Sequence, residues 1–463
     1  MGRQVKEFYE GIKGKKIAFI GMGVTNRELI TKFAKAGADV TLCDKKSFEE
    51  LGEQKNEYKE LGVKFELGEN YLGGLQNQEI IMRSPGFEYY TKELVEAGKN
   101  GAKITSEMEL FFEYCPCKIY AVTGSDGKTT TTTLIGEMLK EEGKIVHLGG
   151  NIGRALFPIV EEINAEDIAV VELSSFQLIS MRQSPNVAII TNVTPNHLDH
   201  HKDMQEYIDA KRNILLSQTE KDIAILGQEN DVTYSMREDI KGELYWFSRE
   251  NLVKNGACLD EEGYLCLMNN SVPTRVVNKT QVKLPGLHNI ENLLCTMAAV
   301  QKEVTVENMA KVAQTFAGVQ HRIEPVAEKN GVHWYNDSIA TSPTRTIAGL
   351  RSFNQKLILI AGGYDKDIPF EPMVEDVLKS VKLLILTGNT ANKIEAAVRT
   401  SAGFSESLLQ IIRVDDLPHA VKTANEMATE GDVVLFSPAS ASFDSYPNFE
   451  KRGEHFKQLV DQL

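Results

Sequence analysis

Short apolar runs alternate along the chain with amphipathic stretches, and most of the apolar runs end in glycine or a polar residue. The first block has the runs KIAFIG and ADVTLCD on either side of GMGVTNRELITKFAKAGA, and a later run, IIMRS, leads into Pro85-Gly86. A strand, a glycine turn, a helix and a second strand in this order predict a βαβ unit with a parallel sheet.

The same order recurs in two further blocks. The second begins near Met108 and contains KIYAVT, IAVVEL and VAIITNV; the third begins near His321 and contains KLILIAGG, VKLLILTG and DVVLFSPAS. Nearly continuous Val, Ile and Leu runs that alternate with helices predict parallel strands buried on both faces. The polar stretch at 228–280 has short alternating runs, which predict a small antiparallel addition. The pattern therefore predicts an α/β protein with three domains in series, as a length of 463 residues allows.

Composition and charge narrow the class of protein. The chain has 51 Lys and Arg residues and 65 Asp and Glu residues, which gives a net charge of −14. Of its residues 42% are hydrophobic and 25% are charged, as is usual in a globular enzyme. The acidic balance argues against a nucleic-acid partner. No window approaches the ~20 apolar residues of a membrane helix, and the start, MGRQVKEFYEGIKGKK, lacks the apolar core of a signal peptide. The six cysteines form no CxxC pair, which predicts reduced thiols in a cytoplasmic protein.

The strongest chemical signal is a glycine-rich loop directly after the run IYAVT. Its residues are Gly124, Ser125, Asp126, Gly127, Lys128, Thr129 and Thr130. Glycines let backbone N–H groups turn toward a phosphate, and the helix that follows adds its positive end. Lys128 would neutralise phosphate charge, and a threonine hydroxyl would bind Mg²⁺. The loop departs from the GxxxxGK[ST] pattern because Val122 stands where the first glycine belongs, and the alternative is an ordinary glycine turn with a solvated lysine.

Two other strands of the second block end in groups that can bind a metal. Glu172 ends the run IAVVEL, where a buried carboxylate is costly unless it is paired or bound to a cation; a solvated acid at the strand end is the alternative. The segment 192–201 crowds three histidines and Asp199, and imidazole and carboxylate are both metal ligands. Spacing alone does not distinguish a metal site from a surface cluster of histidines.

Lys211 lies on the apolar face of a predicted helix in QEYIDAKRNILL. Ile208, Ile214 and Leu215 are three or four residues away and share that face. Such a lysine either extends along the face to water or stays partly buried with a lowered pKa. A buried neutral amine would be nucleophilic and could react with CO₂ to give a carbamate, which turns a cation into an acidic ligand.

Polar loops follow the strands of the third block. They are Asn336-Asp337-Ser338, the stretch 362–367 and the stretch 437–444. Their recurrence at the carboxyl ends of presumed parallel strands favours a ligand site. Arg322, at the junction before this block, is a residue suited to bidentate contact with phosphate.

The first block carries part of a dinucleotide fingerprint in GMGVTN, with Asp44 at the tip of the next strand. Asn26 stands where the third glycine belongs, so the safer prediction is that some nucleotide or its phosphates lie at this helix start. A nicotinamide dehydrogenase is an alternative function, although it leaves the second block without a purpose. A non-catalytic P-loop switch protein is another, but it would not need Glu172, His197 or the ligand loops of the third block.

In this order the motifs resemble the Mur ligase family of ATP-dependent acid–amino-acid ligases. The resemblance covers essentially the whole chain and rests on GSDGKTTT, ELSSFQL, NVTPNHLDHH, LPGLHNIEN, HRIE, NDS and GGYDK. The ending SPASASFDSYPNFEKRG is similar to the branch that adds D-glutamate, rather than to sister amino-acid-adding ligases or folylpolyglutamate synthases. The resemblance implies a Rossmann-like domain for UDP-sugar at 1–107, a P-loop ATPase-like domain for ATP at 108–318 and a Rossmann-like domain for glutamate at 319–463.

The implied reaction joins D-glutamate to UDP-N-acetylmuramoyl-L-alanine through an acyl phosphate, in cytoplasmic peptidoglycan precursor synthesis. The implied cofactors are ATP and two Mg²⁺ ions, and the implied partners are these small molecules, with no nucleic acid and no membrane. A monomer is expected, although the residues themselves do not determine the oligomeric state.

The resemblance also implies roles position by position. The loop Gly124–Thr130 would hold the ATP phosphates, Thr129 and Glu172 would bind the first Mg²⁺, and His197 and a carbamylated Lys211 the second. Nucleotide contacts would come from Asn289, Arg322 and Asp337. The UDP would lie near Val24, Thr25, Asp44 and Lys45. The muramoyl-alanine path would be lined by Asn151, Ser174 and Gln177. The glutamate would be bound by Thr341, Lys366, Ser442, Phe443 and Phe449.

One position departs from the family pattern. Many relatives have Asn-Asp-Ser-Lys-Ala-Thr where this chain has Asn336-Asp337-Ser338-Ile339-Ala340-Thr341. Ile339 cannot supply a cation, so the charge role of that lysine is either absent here or taken by another group such as Arg345.

Overall fold

The computed structural model of the chain describes residues 2–195, 201–284, 286–366 and 368–463, except for the side chains of residues 2, 3 and 24. Three sheets alternate with helices along the chain, so the predicted α/β class is confirmed. The chain forms two compact units, Met1–Phe316 and Ala317–Leu463, and the first unit contains two of the sheets. The predicted domain boundaries after residues 107 and 318 stay predictions.

The first sheet is parallel throughout and has five strands in the order β3-β2-β1-β4-β5. Its strands are β1 (Lys16–Ile20), β2 (Asp39–Asp44), β3 (Lys64–Leu67), β4 (Ile80–Arg83) and β5 (Lys103–Thr105). The helices of this region are α1 (Gly2–Gly11), α2 (Val24–Lys35), α3 (Gln54–Glu60), α4 (Lys92–Lys99) and α5 (Glu107–Tyr114). The predicted βαβ unit is thus β1, α2 and β2, and the Gly21 turn lies at the carboxyl edge of the sheet.

The second sheet has nine strands in the order β14-β13-β12-β11-β10-β9-β6-β8-β7. Its strands are β6 (Lys118–Thr123), β7 (Val146–Gly150), β8 (Ile168–Glu172), β9 (Val187–Ile190), β10 (Ile223–Gly227), β11 (Glu243–Ser248), β12 (Gly256–Leu259), β13 (Tyr264–Asn269) and β14 (Val272–Asn278). The helices are α6 (Lys128–Glu141), α7 (Ser175–Leu178), α8 (Met204–Leu216), α9 (Asp231–Ser235), α10 (Leu287–Val300) and α11 (Val306–Thr315). Strand β6 lies between β8 and β9, so the loops that follow these three strands open at one edge.

The stretch 228–280 is only partly the antiparallel addition that its pattern predicted. Strands β11 and β12 continue the parallel part of the sheet, and β13 pairs antiparallel with both β12 and β14. Alternation of apolar and polar residues reports which face of a strand is buried, not the direction in which the strand runs.

The third sheet has six strands in the order β15-β16-β20-β17-β18-β19, parallel except for the β15–β16 pair. Its strands are β15 (Glu324–Lys329), β16 (Val332–Asn336), β17 (Leu357–Gly362), β18 (Val381–Thr387), β19 (Gln410–Arg413) and β20 (Val433–Phe436). The helices are α12 (Pro343–Leu350), α13 (Val374–Ser380), α14 (Ala391–Arg399), α15 (Leu417–Met427) and α16 (Phe449–Asp461). The predicted polar loops follow β16, β17 and β20, three neighbours in this sheet.

The first two sheets share one continuous apolar core within their unit. Phe8 of α1 packs edge-on against Phe33 and Phe157, with ring centroids 5.6 Å apart in both pairs. Buried Glu107 adds a polar link, since its Oε1 accepts hydrogen bonds from the backbone N–H groups of Leu156 and Phe157. The turn at the edge of the first sheet and the loops of the second are therefore held by one packed body.

Two further features bear on the sequence predictions. In the described ranges no helix is both long and apolar enough to cross a membrane. All six cysteines are free thiols, although the sulfur atoms of Cys115 and Cys117 lie 3.5 Å apart.

Candidate functional site

The glycine-rich loop between β6 and α6 is shaped by close backbone approaches. Gly124 has a φ of +148°, and a Cβ there would lie 1.8 Å from Thr191 Oγ1. Gly127 has a φ of +77°, and its Cβ would lie 2.3 Å from Asn292 Oδ1. Only glycine fits at either position. Gly127 is the N-cap residue of α6 and offers no capping side chain, so the first turn of the helix directs its N–H groups toward the loop.

Lys128 lies over this loop. Its Nζ donates hydrogen bonds to the carbonyl oxygens of Gly124 and Ser125 at 3.0 and 2.9 Å. Ser125 in turn accepts a hydrogen bond from Thr194 N and lies 3.0 Å from the hydroxyl of Tyr207. Lys128 is half-buried and held by the loop itself, and its role toward phosphate stays a prediction.

Glu172 ends β8, directly beside the end of β6 in the register Val122↔Glu172. Its side chain is 2% exposed, so the alternative of a solvated strand-end acid is wrong. Oε1 accepts a hydrogen bond of 2.6 Å from Asn151 Nδ2. Oε2 is buried and has no hydrogen-bond partner among the described residues. An unpartnered carboxylate oxygen in the interior is expensive, and a divalent cation would satisfy it.

Lys211 is buried on the inward face of α8, with 1% of the residue exposed. Its Nζ donates a hydrogen bond of 2.8 Å to Gly124 O and lies 4.6 Å from the ring centre of Tyr207. Burial first, and the charge of Lys128 second, hold the pKa of Lys211 well below its usual value, while Asp126 and Glu172 act in the opposite direction. Of the two predicted conformations the buried one is correct, and the extended, water-reaching one is wrong.

These groups lie within electrostatic reach of one another at one edge of the second sheet. The described residues contain no group of three or more His, Cys, Asp and Glu side chains placed to hold a metal ion. The predicted ligand His197 lies outside the described residues, as do Asp199 and His200. The donors that are described, a threonine hydroxyl and an unpartnered carboxylate oxygen, are oxygen ligands of the kind that Mg²⁺ prefers.

His201 of the predicted histidine cluster is described and does not face the loop as a ligand. It is buried, with Nε2 2.9 Å from Ser175 Oγ and Nδ1 3.2 Å from Glu206 Oε2. Its ring stacks on Phe176 with centroids 5.2 Å apart. His201 therefore joins α7 to α8.

Asn289 is buried in the first turns of α10 and accepts a hydrogen bond from Asn292 Nδ2 at 3.1 Å. Asn292 Oδ1 also accepts a hydrogen bond of 3.4 Å from the Thr131 hydroxyl, and the same oxygen limits the space at Gly127. The predicted nucleotide residue thus belongs to a polar chain that reaches the glycine-rich loop. Asn292 was not predicted, although its position three residues after Asn289 places the two on one helical face.

Asn151, Ser174 and Gln177 lie next to Glu172. Asn151 follows β7 and donates two hydrogen bonds to Glu172. Its side-chain Nδ2 bonds the carboxylate, and its backbone N–H bonds the carbonyl oxygen. Ser174 caps α7 and forms a reciprocal capping box with Gln177. The structure therefore brings all three predicted residues to the carboxyl ends of β7 and β8.

The turn after β1 places four predicted residues at the carboxyl edge of the first sheet. Val24 and Thr25 begin α2, and Asp44 ends β2, with Lys45 next and exposed. Asp44 accepts hydrogen bonds from Met22 N and Lys46 N at 2.8 and 3.0 Å, so its carboxylate organises the turn. Asn26, in place of the third glycine, is buried and donates to Ile20 O, Gly21 O and Ser84 Oγ.

In the second unit, Asp337 follows β16 and is buried. It accepts hydrogen bonds from Ser437 Oγ at 2.7 Å and from Ile323 N at 3.2 Å. Burial raises the pKa of Asp337 to about 7, with these bonds and the charges of Arg322 and Arg345 acting against the rise. The predicted residue Arg322 is exposed at this loop.

Arg345 lies beside Ile339, the residue that stands where many relatives have a lysine. Its Nη1 donates to Ile339 O at 3.2 Å. Burial raises the pKa of Asp337 and the charge of Arg345 acts against that rise, whereas burial lowers the pKa of Lys366 and the same charge adds to that fall. The structure thus places a cation beside Ile339, from the first turn of α12. Thr341 lies between these two residues, with its N–H bonded to Ile339 O.

The loop after β20 carries Ser442 and Phe443, and α16 begins at Phe449. Ser442 is buried, whereas Phe443 is 62% exposed and packs edge-on against Tyr364 at 5.9 Å. The backbone carbonyl oxygen of Phe449 accepts a hydrogen bond of 2.8 Å from the Ser338 hydroxyl. These loops belong to the edge that also carries Lys366.

Arg452 was not predicted, yet it holds these loops together. Its buried guanidinium donates to Ala441 O, Ser440 O, Ser338 O and Ser338 Oγ at 2.8 to 3.1 Å. Burial lowers its pKa to about 10. A cation in the first turn of a helix opposes the helix dipole, and this was the signal available in the sequence.

Comparison with known proteins gives the family. The Mur ligase middle domain matches residues 122–300, and the Mur ligase, glutamate ligase domain matches residues 321–440. The UDP-N-acetylmuramoylalanine–D-glutamate ligase of Clostridium acetobutylicum is 49% identical over 465 residues, and that of Clostridium novyi 47% over 463, with 100% of both chains covered in each comparison. The chain belongs to the Mur ligase family, as its motifs predicted.

Solved structures of lower sequence identity share the fold. The UDP-N-acetylmuramate–alanine ligase of Thermotoga maritima aligns with a TM-score of 0.53 at 18% identity, over 96% of this chain and 99% of that one. A pseudomurein peptide ligase type C from Methanothermus fervidus aligns with a TM-score of 0.51 at 18% identity, over 97% and 100%.

Proposed function

We propose that this chain joins D-glutamate to UDP-N-acetylmuramoyl-L-alanine with hydrolysis of ATP, as a cytoplasmic monomer in peptidoglycan precursor synthesis. The observation that carries the proposal is the cluster of Lys128, Lys211 and the unpartnered Glu172 oxygen at one sheet edge. It occurs in a chain that is 49% identical, from end to end, to a relative named for that reaction. The domains of this ligase are proposed as 1–107 for UDP-sugar, 108–318 for ATP and 319–463 for glutamate.

The phosphates of ATP bind at the loop Gly124–Thr130. The N–H groups of the first turn of α6 donate hydrogen bonds to phosphate oxygens. Lys128 leaves the two loop carbonyl oxygens that it otherwise bonds and bonds the more negative β- and γ-phosphates instead. Asn289 of α10 is proposed to contact the adenine, and Arg322 and Asp337 are proposed as further nucleotide contacts.

Two Mg²⁺ ions accompany the nucleotide. Thr129 and Glu172 would hold the first, and His197 with a carbamylated Lys211 would hold the second. When bound, such ions neutralise charge on the transferring phosphoryl group. The observation in favour of the carbamate is that Lys211 is buried with a strongly lowered pKa, because only the neutral amine reacts with CO₂.

The acceptor lies across the first two sheets. Val24, Thr25, Asp44 and Lys45 contact the UDP, and the muramoyl-alanine extends along Asn151, Ser174 and Gln177. The incoming glutamate is bound by residues of the second unit. These are Thr341, Lys366, Ser442, Phe443 and Phe449.

The reaction runs in two steps that the chain's own residues assist. The alanine carboxylate attacks the γ-phosphorus, ADP leaves, and Lys128 offsets the negative charge that gathers during transfer. The neutral amine of glutamate then attacks the acyl phosphate, loses a proton, and inorganic phosphate leaves as the amide forms. Exclusion of water protects the acyl phosphate between the steps.

The test is release of phosphate from ATP and Mg²⁺ with UDP-N-acetylmuramoyl-L-alanine and one amino acid at a time. D-glutamate, L-glutamate, L-lysine and diaminopimelate are compared. Release with D-glutamate alone is expected. Release with a different amino acid alone would assign the chain to a sister reaction, and release with none would contradict the acceptor.

A further inference from the structure

Arg83 ends β4, beside Ile20 of β1, and is the one charged residue of that strand. Only 1% of the Arg83 surface is exposed. A guanidinium that is taken out of water is costly unless its donors are paired. The pairing of Arg83 is therefore a clue to what this charge is for.

One branch of the guanidinium organises the loop that follows β4. Nη1 donates to the carbonyl oxygens of Ser84, Pro85 and Phe87 at 3.4, 3.3 and 3.0 Å. The same loop borders the turn proposed to bind UDP: Ser84 Oγ donates to Ile20 O at 2.6 Å and accepts from Asn26 Nδ2 at 3.0 Å.

The other branch reaches the second sheet. Nη2 donates to Phe176 O at 2.7 Å and to Ser180 Oγ at 3.1 Å. Phe176 lies inside α7, between the cap Ser174 and Gln177, the residues proposed to line the muramoyl-alanine path. Ser180 also donates to Glu109 Oε2 at 3.3 Å, so a carboxylate close by offsets the buried charge.

We infer that Arg83 is a positioning residue that sets the distance between the two halves of the nucleotide-sugar site, namely the Gly21–Asn26 turn and α7. The inference rests on the proposed function. A ligand that spans two half-sites gains the affinity of both only when their spacing is held to its own length. The rigid fork of arginine bonds both sides at once, and the single ammonium of lysine cannot reproduce it.

The test compares a half-site ligand with the whole one. For Arg83→Lys, calorimetry with UDP alone gives an unchanged Kd, whereas the Kd and KM of UDP-N-acetylmuramoyl-L-alanine rise about tenfold or more. The KM of ATP and the kcat at saturation stay within about twofold of wild type. Ser180→Ala removes one of the two acceptors of Nη2, just after α7, and gives a smaller change in the same direction. Arg182→Lys, an exposed arginine just after α7, is the matched control and changes none of these values.

Two results would overturn the inference while leaving the proposed function standing. One is wild-type affinity of Arg83→Lys and Ser180→Ala for the whole substrate. The other is equal weakening of UDP and of the whole substrate, which would mean that the substitution merely disorders the turn. Failure of the wild-type chain to bind the whole substrate would instead overturn the proposed function, and with it this inference.

Discussion

Lys128 and Lys211 donate to the same acceptor, the carbonyl oxygen of Gly124, at 3.0 and 2.8 Å. Two ammonium groups on one carbonyl repel each other, and the repulsion adds to burial in lowering the pKa of Lys211. The phosphate loop and the proposed carbamate position are therefore electrostatically coupled, which makes both open to test.

Lys211→Ala should be nearly inactive, and a short carboxylic acid such as acetate or propionate should restore part of the activity. The acid would occupy the space of the side chain and supply the carboxylate that the proposed carbamate would provide. Steady-state phosphate release against acid concentration measures the rescue. Lys241→Ala, which removes an exposed lysine, should be active and unaffected by the acid. Restoration by an alkylamine in place of an acid would contradict the carbamate.

Lys128→Ala should lower kcat by at least about 100-fold, the usual cost of losing a preorganised group that stabilises transition-state charge. Lys140→Ala, at an exposed position of the same helix α6, should retain wild-type kcat and serves as the control. An unchanged kcat for Lys128→Ala would remove Lys128 from the phosphate site.

Gly127→Ala should raise the KM of ATP about tenfold or more, because the new Cβ would stand 2.3 Å from Asn292 Oδ1 and push the loop off α10. Gly143→Ala is a strict control. Gly143 also has a positive φ, +84°, but nothing lies within 4 Å of its added Cβ. Both variants carry the backbone strain of roughly 1 kcal/mol, and only the first should lose nucleotide affinity. Equal effects would mean that strain, and not contact with Asn292, controls the loop.

Local chemistry singled out the glycine-rich loop and Glu172, whose proposed roles stay predictions. A glycine loop between a strand and a helix, or an acid at the end of an apolar strand, is visible within about ten neighbouring residues. The same reasoning reached Lys211, but helical periodicity left its burial undecided, since the decision depends on β6 and the loop that pack against α8.

The residues that the sequence did not reveal act over long separations. Arg83 bonds Phe176 and Ser180, 93 and 97 positions away, and Arg452 bonds Ser338, 114 positions away. No periodic pattern reports such pairs, because they form only when separate strands are placed side by side. A charged residue in a short apolar strand, as in IIMRS, was the available signal for Arg83.

Glu107 should make the stability of the first unit depend on pH. Burial raises its pKa to about 7 from an unfolded value near 4.5, so the folded state binds the proton more tightly than the unfolded state does. The stability that this proton contributes is complete below about pH 4.5 and is lost as the pH rises through 7, by up to about 3 kcal/mol.

Glu107→Gln keeps an oxygen to accept the N–H groups of Leu156 and Phe157 and cannot ionise. Its melting temperature should therefore exceed that of the wild type at pH 8.5 by several degrees, and the difference should shrink at pH 5. Differential scanning calorimetry of the full chain at the two pH values measures this. Glu113→Gln, an exposed position of the same helix, should melt with the wild type at both. A Glu107→Gln chain that melts below the wild type at pH 8.5 would show that the carboxylate is ionised and stabilising in the folded state.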